Sequence, residues 1–450
     1  MKNLNEKNIA IVIGGGIAGK LAAKVLSDHF KKVIILERDA EPQGPLPRKG
    51  VPQGAHLHAL LHAGEHGLES LFPGITNRFY HSGAIKINST RDLAWFHHGV
   101  WKLQYDGGYS TTLQTRPHLE WHIDQYIKEI PNIAYYYNHS VKSYHYDKQA
   151  NKVTGVTASS PEADSITLDA NLVVDASGSG SFTGAWLEKL GHVLPTEKAT
   201  IGLTYVSKFF QLPENPKRNW SIKLIYPEPP FGEIGATLSS VEGNRYIATI
   251  FGYQNAINEK KAITDNEAFL ELAKKLSKPD IYTELSKGKP LSKTSIFRVP
   301  QISWRRFDKV KHLPDGLLMM GDTICRIDPV FGQGMSVAVL EALELQRLLK
   351  KDLPLKRLAY MFHKKTVKII SPVWNMVLSE DLRYPGIQAK RPFGLSAQQW
   401  FTKQIFLLSS EDRYIYDSFI KVMNLVQPAA ILMRPAILKK VVARGLFRRK

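Results

Sequence analysis

Along the first forty residues the spacing of apolar positions changes twice. Residues 9–13 (Ile-Ala-Ile-Val-Ile) form an unbroken apolar run, the pattern of a strand buried on both faces. From Ile17 to Phe30 the apolar positions recur at helical spacing, with Ala18, Leu21, Ala22, Val25 and Leu26 facing inward. A second apolar run, Val33–Leu36, closes on Glu37. Roughly three hundred residues later the pattern repeats. Gly316 to Met320 reads as a buried strand ending in Gly321-Asp322, and a helix is expected from Met335 to Leu349 with Val337, Val339, Leu340, Leu343 and Leu348 inward. Between the two, Ile201–Phe210, Ser221–Tyr226, Gly235–Ser240 and Tyr246–Tyr253 read as strands separated by turns such as Pro227-Glu228-Pro229-Pro230. Beyond Leu349 the chain turns helical, with Trp374, Trp400 and Phe401 available for packing. The pattern predicts an α/β protein whose parallel sheet is assembled from distant parts of the chain.

The turn between the first strand and helix carries Gly14-x-Gly16-x-x-Gly19. Glycines there permit a tight turn and close backbone approach, the helix N-terminus attracts a pyrophosphate, and an acid about 20 residues on can accept ribose hydroxyls. Glu37 stands at that distance. The strand, turn, helix and acid together point to a dinucleotide.

Composition narrows the setting. With 43% hydrophobic and 10% aromatic residues in 450, a largely disordered chain is excluded. A single cysteine, Cys325, excludes an internal disulfide and a Cys-rich metal site, and fits a reducing compartment. No apolar run approaches the ~20 residues of a membrane-spanning helix, so a soluble cytoplasmic protein is expected. Sixty basic against 41 acidic residues leave a net charge of +19. After Asp417 there is no acidic residue, but there are Lys421, Arg434, Lys439, Lys440, Arg444, Arg448, Arg449 and Lys450, interleaved with Ile431, Leu432, Met433, Ile437, Leu438, Val441 and Val442. Such a tail suits peripheral contact with an anionic membrane or a lipid-like substrate. It equally suits a terminal helix docked on the body with its basic face in solvent. No recognition module accompanies the charge, so no nucleic acid partner is expected. His56, His58, His62 and His66 have metal-like spacing, but no acid at matching offsets completes a ligand set; no metal is expected, and His56 or His58 lines a cofactor pocket or is an ordinary surface histidine. Cys325 reads as a small buried residue in a tight loop, with a redox role as the alternative. Asp328 is either a loop cap or a group aimed at the active site.

Gly321-Asp322, six residues, then Pro329-x-x-Gly332-x-Gly334 completes a pair of motifs with the N-terminal glycines. The pair resembles the FAD-dependent monooxygenases of the aromatic hydroxylase superfamily. The segment from Arg48 through His58 to Leu71-Phe72-Pro73-Gly74 is similar to a subset that includes polyether-type epoxidases, and Leu172–Gly178 with Ser181 resembles the strand end that backs the flavin. The resemblance implies a Rossmann-like FAD-binding domain (1–190 and 296–350) interleaved with an antiparallel β-sheet substrate domain (191–295, with an insertion near 75–115), followed by a helical region with the basic tail (351–450). It implies that Gly14, Gly16, Gly19, Glu37, Arg38, Arg48, Arg116, Asp175, Asp322, Gly332, Gln333, Gly334 and Met335 bind FAD. Arg116 would lie on the phosphate side, Asp322 on the ribityl chain and the Gly332–Gly334 amides at the flavin's N1–C2=O edge, with Pro329 near the face where oxygen adds. The chemistry implied is insertion of one oxygen atom from O2 into an apolar alkene or aromatic substrate, as an epoxidase or hydroxylase, through a flavin C4a-hydroperoxide. NADPH or NADH would be the reductant, directly or through a partner flavin reductase. Where relatives commonly carry Asp-Gly followed by an arginine tied to NADPH use, this chain has Asp175-Ala176, and no arginine until Arg218. A flavin reductase or dehydrogenase of a prenyl- or lipid-like chain would share every motif. A halogenase would be expected to show a W-x-W-x-I-P segment, which is absent; a non-catalytic membrane-associated flavoprotein is the remaining alternative.

Overall fold

The computed structural model describes residues 8–58, 60–257, 265–351 and 353–447. Its centre is a five-stranded parallel sheet in the order Leu317–Met319, Leu172–Asp175, Ile9–Ile13, Lys32–Leu36, Ile133–Tyr136. Ala10, Ile11 and Val12 are wholly buried, as the unbroken apolar run required. The Ile17–Ser27 and Gly334–Leu349 helices pack against each other, so the two glycine-rich turns that precede them lie close together although they are far apart in sequence. The first helix stops at Ser27, three residues short of expectation, and Phe30 remains buried beyond it. In the second, Leu340 and Leu343 are only half-buried, whereas Glu341 is fully buried.

The second layer is a ten-stranded, mostly antiparallel sheet. Its backbone is the 16-residue strand Thr196–Gln211, flanked by Ser295–Arg305 and Arg245–Gly252. The strand begins five residues earlier than its apolar pattern implied. A register shift between Thr200 and Leu203 lets it bend, with Gly202 at φ +55° beside Asn255. Ile234–Val241 and Ile222–Ile225 follow as expected, and Leu93–His97 then joins in parallel to Ile222–Ile225. Thus a segment from the N-terminal third completes the sheet built mainly from the middle of the chain.

The helices Leu395–Leu408, Arg413–Met423 and Pro435–Phe447 form a separate apolar cluster against this sheet, where Ile405, Phe406, Phe419, Ile437 and Val441 pack with Trp95 and Tyr226. Of the two readings of the basic tail, residues 435–445 take the docked form. Ile437 and Val441 are fully buried, and Lys440 and Arg444 pair with Asp412 and Glu411. Arg448, Arg449 and Lys450 lie outside the described residues. Among the described residues no helix is long and apolar enough to cross a membrane.

Candidate cofactor site and adjoining cavity

The N-terminal glycines have separable roles. Gly14 has φ +96°, and a Cβ there would sit 2.7 Å from the Ala176 carbonyl oxygen; a Cβ on Gly19 would sit 1.8 Å from that of Gly14. Both are demanded by the fold itself. A Cβ on Gly16 or Gly334 would meet nothing within 4 Å. Neither of the two helices that begin there has a side-chain cap, so their first-turn amides remain open to a ligand's anionic or carbonyl oxygens.

Around the first turn the carboxylates and arginines are locked together. Glu37 accepts the Gly15 amide at 2.7 Å and the Asp39 amide at 2.9 Å. Arg48 reaches Glu37 (3.0 Å), Asp39 (3.3 Å), Glu120 (3.1 Å) and the Gly15 carbonyl (3.0 Å). Burial opposes its charge, but Glu120 and Glu37 outweigh that and hold its pKa above the ordinary arginine range. Glu120, on the Arg116–Lys128 helix, also takes the Arg116 Nε at 2.7 Å; despite burial, Arg116, Lys20 and Arg48 bring it down to about 2. Lys20, Arg48 and Arg116 line a concavity with Glu120, Pro47 and Val51, a wall of ion-paired cations suited to the phosphate side of a ligand. The Arg38 side chain is exposed.

Asp322 is ringed by protein, and burial lifts its carboxyl above the ordinary range against the pull of Arg116, Arg326 and Arg305. It nevertheless stays open to solvent and engages no protein donor among the described residues. A carboxylate so placed wants a hydroxyl. Beneath the same turn, the buried Glu341 accepts the Gly321 amide at 2.7 Å, and burial pushes its pKa up to about 8. Asp175 is used differently: its carboxylate accepts the Ser177 amide (2.9 Å) and the hydroxyls of Ser177 (2.6 Å), Ser181 (2.5 Å), Tyr144 (3.3 Å) and Thr183, which shapes the turn at residues 176–181. Arg305, arriving from the large sheet, donates to the Ser179 carbonyl (2.7 Å) and the Thr323 carbonyl (2.9 Å) of this region. An arginine absent from the sequence just after Asp175 is therefore present there in space.

Pro329–Phe331 is a single 3-10 turn, and Gly332 at φ +67° leads into Gln333 and the helix. Asp328 caps that turn, accepting the Val330 amide at 2.9 Å, which decides between its two sequence readings. Met335 is buried, and Gln333 is turned toward the C-terminal helices, donating to the Met423 carbonyl at 3.3 Å. Cys325 is buried and pairs in a short strand with Trp304; burial keeps it a thiol, the inert form.

Pro329, Val330, Phe331 and Gly332 form one wall of a cavity of about 150 Å³. Leu57, Leu60 and Leu61 continue that wall; Ile222, Leu224, Tyr226 and Phe251 come from the sheet; Ile420, Met423 and Asn424 close the far side. Among the described residues no charged side chain lines it. Of the sheet's aromatics, Tyr205, Tyr226 and Phe251 line it, joined by Trp95. Phe210 packs on Phe269 in a different core, Phe209 lies under Arg245, Phe231 is exposed, and Tyr253 is bonded to Asp328. His56 and His58 lie between the concavity and the cavity. His58 Nδ1 binds the His56 carbonyl (2.9 Å) and its Nε2 faces Arg116 Nη1 (3.4 Å), while His56 Nδ1 meets Ser207 Oγ (2.7 Å), itself 2.7 Å from the cavity residue Thr249. Burial lowers His56 to about 4 and His58 to about 3, so both are neutral. Elsewhere, His97, His98 and Glu380 bring ligand-type atoms within 4.8 Å of one another, but Arg383 occupies both Glu380 oxygens (2.6 and 3.0 Å).

The paired open helix N-termini, the space above Gly16 and Gly334, the basic wall and the unengaged Asp322 fit FAD. A family model described as "FAD binding domain" matches residues 7–354. This chain belongs to that family. It is an FAD-dependent oxidoreductase of the aromatic hydroxylase type. It is 29% identical to Protein Rv3254 of Mycobacterium tuberculosis over 98% of this chain and 94% of that protein. Among solved structures it resembles the flavin-dependent brominase Bmp2 (TM-score 0.69, 13% identity, 97% of this chain and 98% of that one). It also resembles the p-nitrophenol 4-monooxygenase PnpA of Pseudomonas putida DLL-E4 (TM-score 0.66, 16% identity, 94% and 99%). The shared architecture extends through the C-terminal helices, beyond the residues that the family model matches.

The sequence reading missed the cavity's far side. Ile420 and Met423 sit in an ordinary amphipathic helix and Asn424 caps its end, and no motif marks them. Trp95 and Arg305 were missed because each reaches the site through strand pairing rather than sequence proximity.

Proposed function

We propose that this oxidoreductase is a monooxygenase that inserts one oxygen atom from O2 into a neutral, apolar small molecule bearing an alkene or aromatic ring. The observation that carries the reading is the uncharged cavity whose Pro329–Gly332 wall runs straight into the open N-terminus of the Gly334–Leu349 helix. Bound FAD supplies the electron transfer and oxygen activation; the chain supplies the rest. Gly14, Gly16 and Gly19 admit the pyrophosphate to the first helix, and Arg48 and Arg116 face its phosphates, with Arg38 at the exposed rim. Glu37 accepts ribose hydroxyls and Asp322 a ribityl hydroxyl. Asp175 acts through the turn that it shapes. The Gly332, Gln333, Gly334 and Met335 backbone would hold the flavin ring, with Pro329 at its border with the cavity. Leu57, Leu224, Phe251 and Met423 keep water from the reacting centre.

NADPH or NADH is the reductant in this reading, directly or through a partner flavin reductase. The test is to mix FAD-loaded protein with each nucleotide anaerobically, then admit 18O2 with a panel of neutral alkenes and arenes. Flavin bleaching followed by a product carrying one 18O atom is expected. Bleaching and reoxidation without label in any product would overturn the monooxygenase reading. The likeness to Bmp2 makes bromide a useful addition to the panel: a brominated product without 18O would favour halogenation instead.

A further inference from the structure

Behind the Pro329–Phe331 turn two carboxyls are buried together. Asp328 and Asp381 are each 1% exposed. Asp328 is well supplied: its Oδ1 accepts the Val330 amide (2.9 Å) and its Oδ2 the Tyr253 hydroxyl (2.7 Å). Asp381 ends the long Leu355–Asp381 helix, and neither of its oxygens meets an N–H or O–H donor. Its carboxyl lies within hydrogen-bonding reach of Asp328. Tyr205 from one strand, Tyr226 and Tyr253 from the ends of two others, and Tyr384 after the helix surround the pair; Glu380 and Glu233 lie beyond. Glu380 is neutralised by Arg383 and faces His98 at 3.9 Å. Among the described residues no lysine or arginine pairs with either aspartate.

Two adjacent carboxylates without a cation cannot both stay ionised in a dry site, and only a hydrogen carried by one of them can bond them to each other. Asp328 already accepts two donors, so the proton belongs on Asp381. Burial, and then the Asp328 charge, hold the Asp381 carboxyl well above its usual range. We propose that Asp381 donates one retained proton to Asp328 and that the shared hydrogen positions the Pro329–Phe331 turn from behind. The turn is then held at both ends, since the Tyr226 hydroxyl donates to the Val330 carbonyl at 3.0 Å. Losing the proton puts two charges in contact, and Asp328 must give up its cap on Val330. Neither aspartate lines the cavity, so both are positioning residues. The inference rests on the cavity being the substrate chamber, but its test needs no flavin chemistry.

The sign follows from linkage. Between the ordinary carboxylate range and the raised one, the folded chain keeps a proton that the unfolded chain has lost, so this site's contribution to stability falls as pH rises. Asp381→Asn has no such proton and donates an N–H to Asp328 at every pH. Thermal unfolding of the full chain from about pH 5 to 9 should therefore show the Asn variant gaining on the wild type as pH rises. Nile red, a neutral apolar dye, should bind the wild-type cavity about tenfold more weakly at the alkaline end, and the Asn variant equally at both. Asp381→Leu, which has no donor, should bind it weakly throughout. Parallel unfolding curves, an alkaline loss of dye that persists in Asp381→Asn, or equal binding by the Leu and Asn variants would overturn the proposal. Failure of the FAD reading would appear separately, as missing flavin absorbance with both readouts intact.

Discussion

Single atoms separate the residues that build the turns from those that leave room beside them. Gly19→Ala places a methyl against the Gly14 carbonyl and should destabilise the whole protein, visible as a lower Tm with or without added FAD. Gly16→Val points into open space, so apoprotein stability should hold while flavin is lost on purification; a fully yellow mutant would remove Gly16 from the phosphate cradle. Asp322→Ala should weaken FAD binding by about 1–3 kcal/mol, the cost of leaving a ligand hydroxyl unpaired. Fluorescence titration with FAD measures it, and unchanged affinity would refute the contact. The sequence exposed these residues because each is confined to a short motif between a strand and a helix. It did not expose Glu341, whose position in the helical repeat gives no sign that its oxygen holds the Gly321 amide.

Secondary elements were legible wherever one surface dictates one period. The buried parallel strands read as apolar runs, and the sheet strands as alternation. Their ends were less legible, because a bulge at Thr200–Leu203 carries one strand past the point where its pattern fades. The Pro435–Phe447 helix shows the converse, an amphipathic pattern compatible with two partners. Its buried Ile437 and Val441, together with the Lys440 and Arg444 ion pairs, settle the side it turns inward. Ile437→Ala should cost about 2–5 kcal/mol of stability by opening a hole in that cluster, measurable by denaturant unfolding. Binding to anionic vesicles should be unaffected by the same change; a parallel loss of vesicle binding would revive the membrane role of this face.

For the molecule as a whole, topology gathers the cofactor side from residues 10–58, 116–120, 175–181 and 316–335, and the cavity from residues 57–61, 87–113, 205–251, 329–332 and 420–424. Motifs expose the first set because they are contiguous; the second is assembled by pairing and packing, which one sequence does not display. A ligand that binds only the folded state raises its stability by about 2.7 kcal/mol at a hundred times its Kd. FAD should therefore raise the Tm of the wild type and of Ile437→Ala alike, since the concavity and the C-terminal cluster are separate. A shift confined to the wild type would show that the helical region is required for the cradle.

Asn424 receives the His62 amide at 3.1 Å, its carbonyl receives that of Ala63 at 3.2 Å, and Gln333 reaches the neighbouring Met423 carbonyl. The last-synthesised part of the cavity's lining is thus fastened to some of the earliest. The cavity can close only once the segment carrying Met423 and Asn424 has reached back to His62, Ala63 and Gln333.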